Sequence, residues 1–166
     1  MAALTHGINI DLKCFTAETY AQKLGGNLQQ VFDSISLFYE AGVHVELTTL
    51  VVPDFNTDFT AFRKAAEKIR AVSPEIPWHI TRFFPTSRYS AEQPTPLADI
   101  DFFINILVEL GFYYIYSGNT GEDVHTPCPR CGTLLIERFI FGKTKVRIKN
   151  GACPECSTPI QGVFHE

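Results

Sequence analysis

Four of the five cysteines stand as two close pairs, Cys128-Pro129-Arg130-Cys131 and Cys153-Pro154-Glu155-Cys156, with twenty-one residues between them. One such pair aims two thiolates at a single ion. Two pairs complete the tetrahedral four-sulfur set that Zn²⁺ accepts without geometric strain. A lone Cys-x-x-Cys reads equally well as a redox dithiol, but two at this spacing favour a metal. All four positions around the ion are then filled by protein, so zinc is expected in a structural role. The segments Leu134–Phe139 and Lys145–Lys149 supply hairpin strands between the pairs, and the whole reads as a zinc ribbon. Cys14, far upstream, is expected as a buried thiol at a strand end.

A second set of reactive side chains lies near the amino terminus. Asp11-Leu12-Lys13 closes the first strand signal, and Thr48 falls at the same depth on the second. Ligands of parallel α/β folds bind outside the carboxyl ends of the strands, which makes these groups binding candidates. An exposed Asp11–Lys13 ion pair is the alternative.

The elements that position these groups follow from periodicity. Gly7–Lys13 alternates apolar and polar residues as a half-buried strand, and Asn27–Ala41 places Leu28, Val31, Phe32, Ile35 and Phe38 at helical spacing before Gly42. The unit recurs with a strand over Val43–Val52, a helix over Asp58–Val72, a strand over Trp78–Phe84, a long loop over Pro85–Pro96, a helix over Leu97–Leu110 and a strand over Phe112–Tyr116. Strands this far apart require parallel pairing with right-handed crossovers. The predicted architecture is α/β: a partial (β/α) barrel with helices on one face over residues 1–122, followed by the small β zinc ribbon over 123–166. Ile8, Ile10, Leu12, Val43, Val45, Leu47, Trp78 and Ile80 are expected to face the helices. Asn9, Asp11, Lys13, His44, Glu46, Thr48, His79 and Thr81 share the opposite, polar face. His44 and His79 are expected there as hydrogen-bonded interior histidines.

Composition sets the outer limits. The chain has 166 residues, 45% hydrophobic and 19% charged, enough for one domain and an appendage. Eight Lys and Arg stand against fifteen Asp and Glu up to residue 124, and six against three after it, so the tail is chemically distinct. Its Arg138, Lys143, Lys145, Arg147 and Lys149 read as a solvated outer face rather than a nucleic-acid contact, because the strand lacks aromatic stacking platforms. No apolar run approaches the roughly 20 residues of a membrane span. Met1–His6 lacks the features of a secretory signal, and a cytoplasmic location is expected.

Taken in order, Ile8-Asn9-Ile10-Asp11-Leu12-Lys13, Glu46-Leu47-Thr48-Thr49-Leu50-Val51-Val52-Pro53, Ile76-Pro77-Trp78-His79-Ile80-Thr81-Arg82-Phe83-Phe84-Pro85, Tyr114-Ile115-Tyr116-Ser117-Gly118-Asn119 and the cysteine ribbon resemble the AmmeMemoRadiSam-system radical SAM proteins. Those are relatives of the pyruvate formate-lyase activating enzymes, and the resemblance corresponds to the C-terminal half of the family. It implies a partial barrel in which a [4Fe-4S] cluster on a Cys-x-x-x-Cys-x-x-Cys loop reductively cleaves S-adenosylmethionine to a 5′-deoxyadenosyl radical. By resemblance, Asp11 and Lys13 lie in the S-adenosylmethionine site, Thr48 stands where the activating enzymes carry an arginine, and Phe84 where they carry a histidine. It also implies AMMECR-type and Memo-type proteins as partners. The sequence contains no Cys-x-x-x-Cys-x-x-Cys. Alone it is therefore expected to be inactive, with the cluster and S-adenosylmethionine used only when the N-terminal half is supplied, as a separate chain or in a longer precursor. The competing reading is a non-catalytic zinc-ribbon interaction or nucleic-acid-binding protein.

Overall fold

The computed structural model describes residues 4–86 and 93–164. Residues 87–92 of the expected Pro85–Pro96 loop and residues 1–3 lie outside the described part. The chain divides into two units, 1–120 and 121–166.

The first unit runs β1 (Gly7–Asp11), α1 (Ala17–Leu24), α2 (Leu28–Glu40), β2 (His44–Val51), α3 (Phe59–Val72), β3 (Trp78–Arg82), α4 (Leu97–Glu109) and β4 (Ile115–Gly118). Its four strands lie side by side in chain order, every pair parallel. Helix ends obey local chemistry. The Asn27 side chain accepts hydrogen bonds from the backbone N–H groups of Gln29 and Gln30, and Asp58 accepts from Ala61, so α2 and α3 begin where a side-chain acceptor satisfies orphan donors. Helix α1 is additional to the elements read from the sequence. Thr16 caps its start, left-handed Gly25 ends it, and Tyr20 anchors it in the core.

Alternation along β2 decides which face is covered. Val45, Leu47, Thr49 and Val51 are buried, while His44, Glu46 and Thr48 are half-buried and Leu50 is exposed. Phe32 and Ile35 of α2, Phe62, Ala66 and Ile69 of α3, and Ile100, Phe103 and Leu107 of α4 join the buried strand residues in one apolar cluster. Its centre is aromatic: Phe62 meets Trp78 at 5.3 Å and Phe103 at 4.4 Å between ring centroids, and Phe15 packs on both phenylalanines. Tilted contacts of this kind add to the burial of large rings.

Thr49 and Thr95 are wholly buried polar side chains among these groups, and each hydroxyl both donates and accepts a hydrogen bond. The Thr49 hydroxyl donates to the Leu12 carbonyl (3.0 Å) and accepts from the Trp78 indole N–H (3.0 Å). The Thr95 hydroxyl donates to the Val51 carbonyl and accepts from the Phe83 N–H, tying the ends of β2 and β3 to the start of α4. Their alternatives would be unsatisfied groups in a dry core.

The fourth strand departs from expectation. Phe112–Tyr116 reads as the strand in sequence, but pairing falls on Ile115–Gly118. Phe112 and Tyr114 are buried and Phe112 packs edge-on against Trp78 at 5.7 Å, so the aromatic run fills the sheet's lower edge before the ladder is complete.

The second unit holds β5 (Val124–Pro127), β6 (Leu134–Arg138) and β7 (Lys145–Val146) in one antiparallel sheet. Strand β5 is additional to the predicted hairpin. The second hairpin strand is shorter than Lys145–Lys149: the Arg147 N–H still bonds to Leu135, but Lys149 turns to pair with Ala152 beside the second cysteine pair. Among the described residues no helix is long and apolar enough to cross a membrane.

Candidate functional sites

The uncovered face of the first sheet collects polar groups because period-two alternation sends every second residue away from the helices. Register then assembles them into a row. Asp11 pairs with Thr48, Thr48 with His79 and His79 with Tyr116, one residue from each strand. Beside this row Glu46 lies between two imidazoles, His44 Nε2 at 3.0 Å from one carboxylate oxygen and His79 Nε2 at 3.2 Å from the other. The hydrogen bond from His44, then that from His79, hold the Glu46 carboxyl well below the usual carboxylate range, against the opposing effect of burial. The His79 ring lies against Tyr116 with 5.0 Å between centroids. Both histidines are thus hydrogen-bonded, and Glu46 is the group that organises them. Its signal in the sequence is its parity with His44 and its place next to Thr48.

Asp11 and Lys13 meet as an ion pair of 2.9 Å, each about half exposed. Thr48 neighbours Asp11 in register, but its hydroxyl is engaged by the Asn9 amide at 3.0 Å rather than by Asp11 or Lys13. Lys13 follows the end of β1 on a backbone that is fixed from below. Asn56, buried in the loop after β2, donates to the carbonyls of Lys13 and Leu50 (2.8 Å each) and accepts from the Val52 N–H (2.8 Å). Nothing local to Asn56 signals this tie, since the three groups that it joins are set by tertiary structure. Phe84 is half exposed, with the Arg82 guanidinium 4.8 Å from its ring centroid. Cys14 is buried, and desolvation raises its thiol pKa above the ordinary value, which describes an inert thiol.

In the second unit Cys128, Cys131, Cys153 and Cys156 gather so that all four sulfurs lie within 4.8 Å of one another. Cys128 Sγ is 3.6 Å from Cys156 Sγ, and Cys131 Sγ is 3.7 Å from Cys153 Sγ. These spacings are too long for disulfides. A tetrahedron with Zn–S bonds of about 2.3 Å has edges of about 3.8 Å, which these two separations match.

The two knuckles repeat one another. Gly132 and Ser157 N–H groups bond to the carbonyls of Cys128 and Cys153, and both residues take positive φ. The Cys128 and Cys153 N–H groups bond in turn to the carbonyls of Thr133 and Thr158. The same two threonines place hydroxyls 3.3 and 3.2 Å from Cys131 and Cys156. Hydrogen bonds from Thr133 lower the Cys131 thiol, those from Thr158 bring Cys156 down to about 6, and burial pushes Cys153 up to about 11. Metal binding must deprotonate all four, and two are already inclined to it.

No family model matches the chain. An uncharacterized protein of Methanocaldococcus jannaschii is 32% identical over 162 residues, which cover 95% of this chain and 48% of that protein. The chain therefore spans about half the length of this relative. In fold, the chain is similar to a domain of pyruvate-formate lyase-activating enzyme from Bacteroides vulgatus, with a TM-score of 0.60 at 17% identity over 71% of this chain and 70% of that one. The shared class is α/β, a parallel sheet with helices.

Proposed function

We propose that the chain is the C-terminal portion of a radical SAM enzyme resembling the AmmeMemoRadiSam-system proteins, its sheet one part of a (β/α) barrel and its cysteine unit a structural zinc ribbon. The observation that carries this reading is the open polar face of a sequentially ordered parallel sheet, ending in an exposed Asp11–Lys13 pair at the carboxyl end of β1. A ligand with an amino-acid end brings one ammonium and one carboxylate. Asp11 can take the first and Lys13 the second, exchanging their mutual ion pair for two charge-assisted contacts. Thr48 and Asn9 form the adjoining polar floor. Held by these residues, S-adenosylmethionine would supply the sulfonium whose reductive cleavage gives the radical.

The cluster that drives that cleavage does not fit this chain's own cysteines. Four are committed to one another, and Cys14 is buried alone in the other unit. The active form thus requires cluster ligands from outside these 166 residues, and the expected setting is a cytoplasmic assembly with AMMECR-type and Memo-type proteins. The test is calorimetric titration of the chain with S-adenosylmethionine and, separately, with methylthioadenosine, which lacks the amino-acid end. Binding of the first should weaken at least tenfold in an Asp11→Asn/Lys13→Ala variant, and binding of the second should not change. Equal effects on both ligands, or S-adenosylmethionine binding that the double variant leaves unchanged, would overturn the assignment.

A further inference from the structure

Among the described residues, the loop that joins β6 to β7 combines dense positive charge with strongly exposed apolar side chains. Between Arg138 and Lys149 the chain carries five cations and no acid, interleaved with Phe139, Ile140, Phe141, Val146 and Ile148. Phe141 at its tip is 99% exposed, more than any other large hydrophobic side chain described, and Ile140 and Val146 are also exposed. A solvated face has no use for a fully exposed phenyl ring, which costs hydration free energy without packing in return.

The loop is nevertheless built. The Ile140 N–H bonds to the Asp123 carboxylate at 3.0 Å, and Gly142 comes so close to Phe139 that a Cβ there would lie 2.9 Å from the Phe139 Cβ. Phe139 packs edge-on against His125 at 5.4 Å, with Lys145 Nζ 5.4 Å from its ring centroid. This fixes a short arm on which Phe141 projects.

The cations follow a pattern. Lys145 opens β7, Arg147 follows just past its end with its N–H still bonded to Leu135, and Lys149 lies where the chain turns to pair with Ala152, so three cations fall within five residues. Arg147 is held by Glu137 at 2.7 Å, while Lys143 and Lys149 have no ion-pair partner among the described residues. A row of ammonium groups beside one projecting ring matches a polymer that alternates anions with flat apolar faces.

We infer that this hairpin tip is a binding site for single-stranded nucleic acid, with Phe141 stacking on one base and Lys143, Lys145 and Lys149 meeting successive phosphates. A single strand is favoured over a duplex because only an unpaired base offers its face to the ring. It is favoured over a lipid surface because the tip exposes a narrow apolar point flanked by charge, where interfacial helices insert a broad apolar face. The aromatic platform that the strand lacks stands in the loop beside it.

Fluorescence anisotropy with labelled short oligo(U) and oligo(dT), using the zinc-loaded full chain, tests this. The expected dissociation constant is about 10–100 µM at 0.1 M salt, and three phosphate contacts give a log–log salt slope of about −2. Phe141→Ala should weaken binding about tenfold while Phe141→Trp retains it, as base stacking requires. The Lys143→Ala/Lys149→Ala double variant should flatten the slope by about 1.4. These side chains are exposed, and unchanged zinc content in each variant verifies that the ribbon is intact. Absence of binding at low salt, affinity indifferent to Phe141→Ala, or sedimentation with phosphatidylcholine–phosphatidylserine vesicles while the oligonucleotides stay free would each overturn the proposal.

Discussion

Trp78, Phe62, Phe103, Leu12 and Ile35 lie fully buried in the first unit, each surrounded by apolar side chains from strand and helix alike. In the second unit the buried apolar side chains are Leu135 and Ile160, joined by Cys128 and Cys153. The two parts of one chain thus differ in how much apolar side chain they bury. The α/β unit gains from the area that it removes from water, at about 25 cal/mol per Å². The ribbon is too small to gain much that way, and small domains of this size are commonly held by a metal. Where burial supplies the stability, loss is graded with the atoms removed; where a ligand supplies it, loss is all or none.

The largest effect that can break this contrast is removal of the metal that the four cysteines are proposed to hold. Structural zinc contributes about 10–16 kcal/mol in apparent terms in zinc-finger peptides, so chelation, or Cys153→Ser, should disorder residues 121–166. Amide resonances of β5, β6 and β7 should collapse while the Trp78 indole resonance keeps its shift. Loss of both sets together would show that the units depend on one another.

Next in size is Phe62→Ala, which removes a ring at the centre of the aromatic cluster and should cost about 3–5 kcal/mol in the urea-induced unfolding of the α/β unit. Zinc content should be unchanged, and its loss would contradict the division.

The smallest effect sharpens the contrast within the first unit, between its dry face and its polar one. Glu46 is held in its charged form in the folded protein, so its two imidazole contacts stabilise the fold fully above the unfolded carboxyl value of about 4.3 and less as pH falls below it. Because Glu46 is partly exposed, solvent screens the gain to about 1 kcal/mol or less. Glu46→Gln should lower stability by that amount at pH 7, and the difference from the parent should shrink as the pH falls through about 4 and below. A difference independent of pH would assign the effect to packing instead.

What the sequence disclosed follows the range of the interactions. The paired cysteines, the helical spacing of Leu28, Val31, Phe32, Ile35 and Phe38 and the alternation of β1 to β3 are local patterns, and each was legible before any coordinate. The fourth strand was displaced because Phe112, Tyr113 and Tyr114 all suit a strand, and only contact with Trp78 decides that two of them are core instead. Helix α1 was hidden by its length, eight residues between Thr16 and a glycine pair. Thr48 was visible as a polar residue at the right depth, but its engagement by Asn9 depends on cross-strand register. The aromatic tip escaped notice because period-two reasoning examines strands, and Phe141 lies between two of them.

The order of strands in the first sheet has a bearing on how the chain comes to be folded. Asp11 meets Thr48, Thr48 meets His79 and His79 meets Tyr116, so every strand contact closes a loop of about 30–40 residues containing a helix. No hairpin can seed this sheet. Each strand must wait for the helix before it, whereas β5 to β7 find their neighbours within a turn or a short loop. On refolding, the ribbon's backbone can therefore reach its pairing before the parallel sheet does.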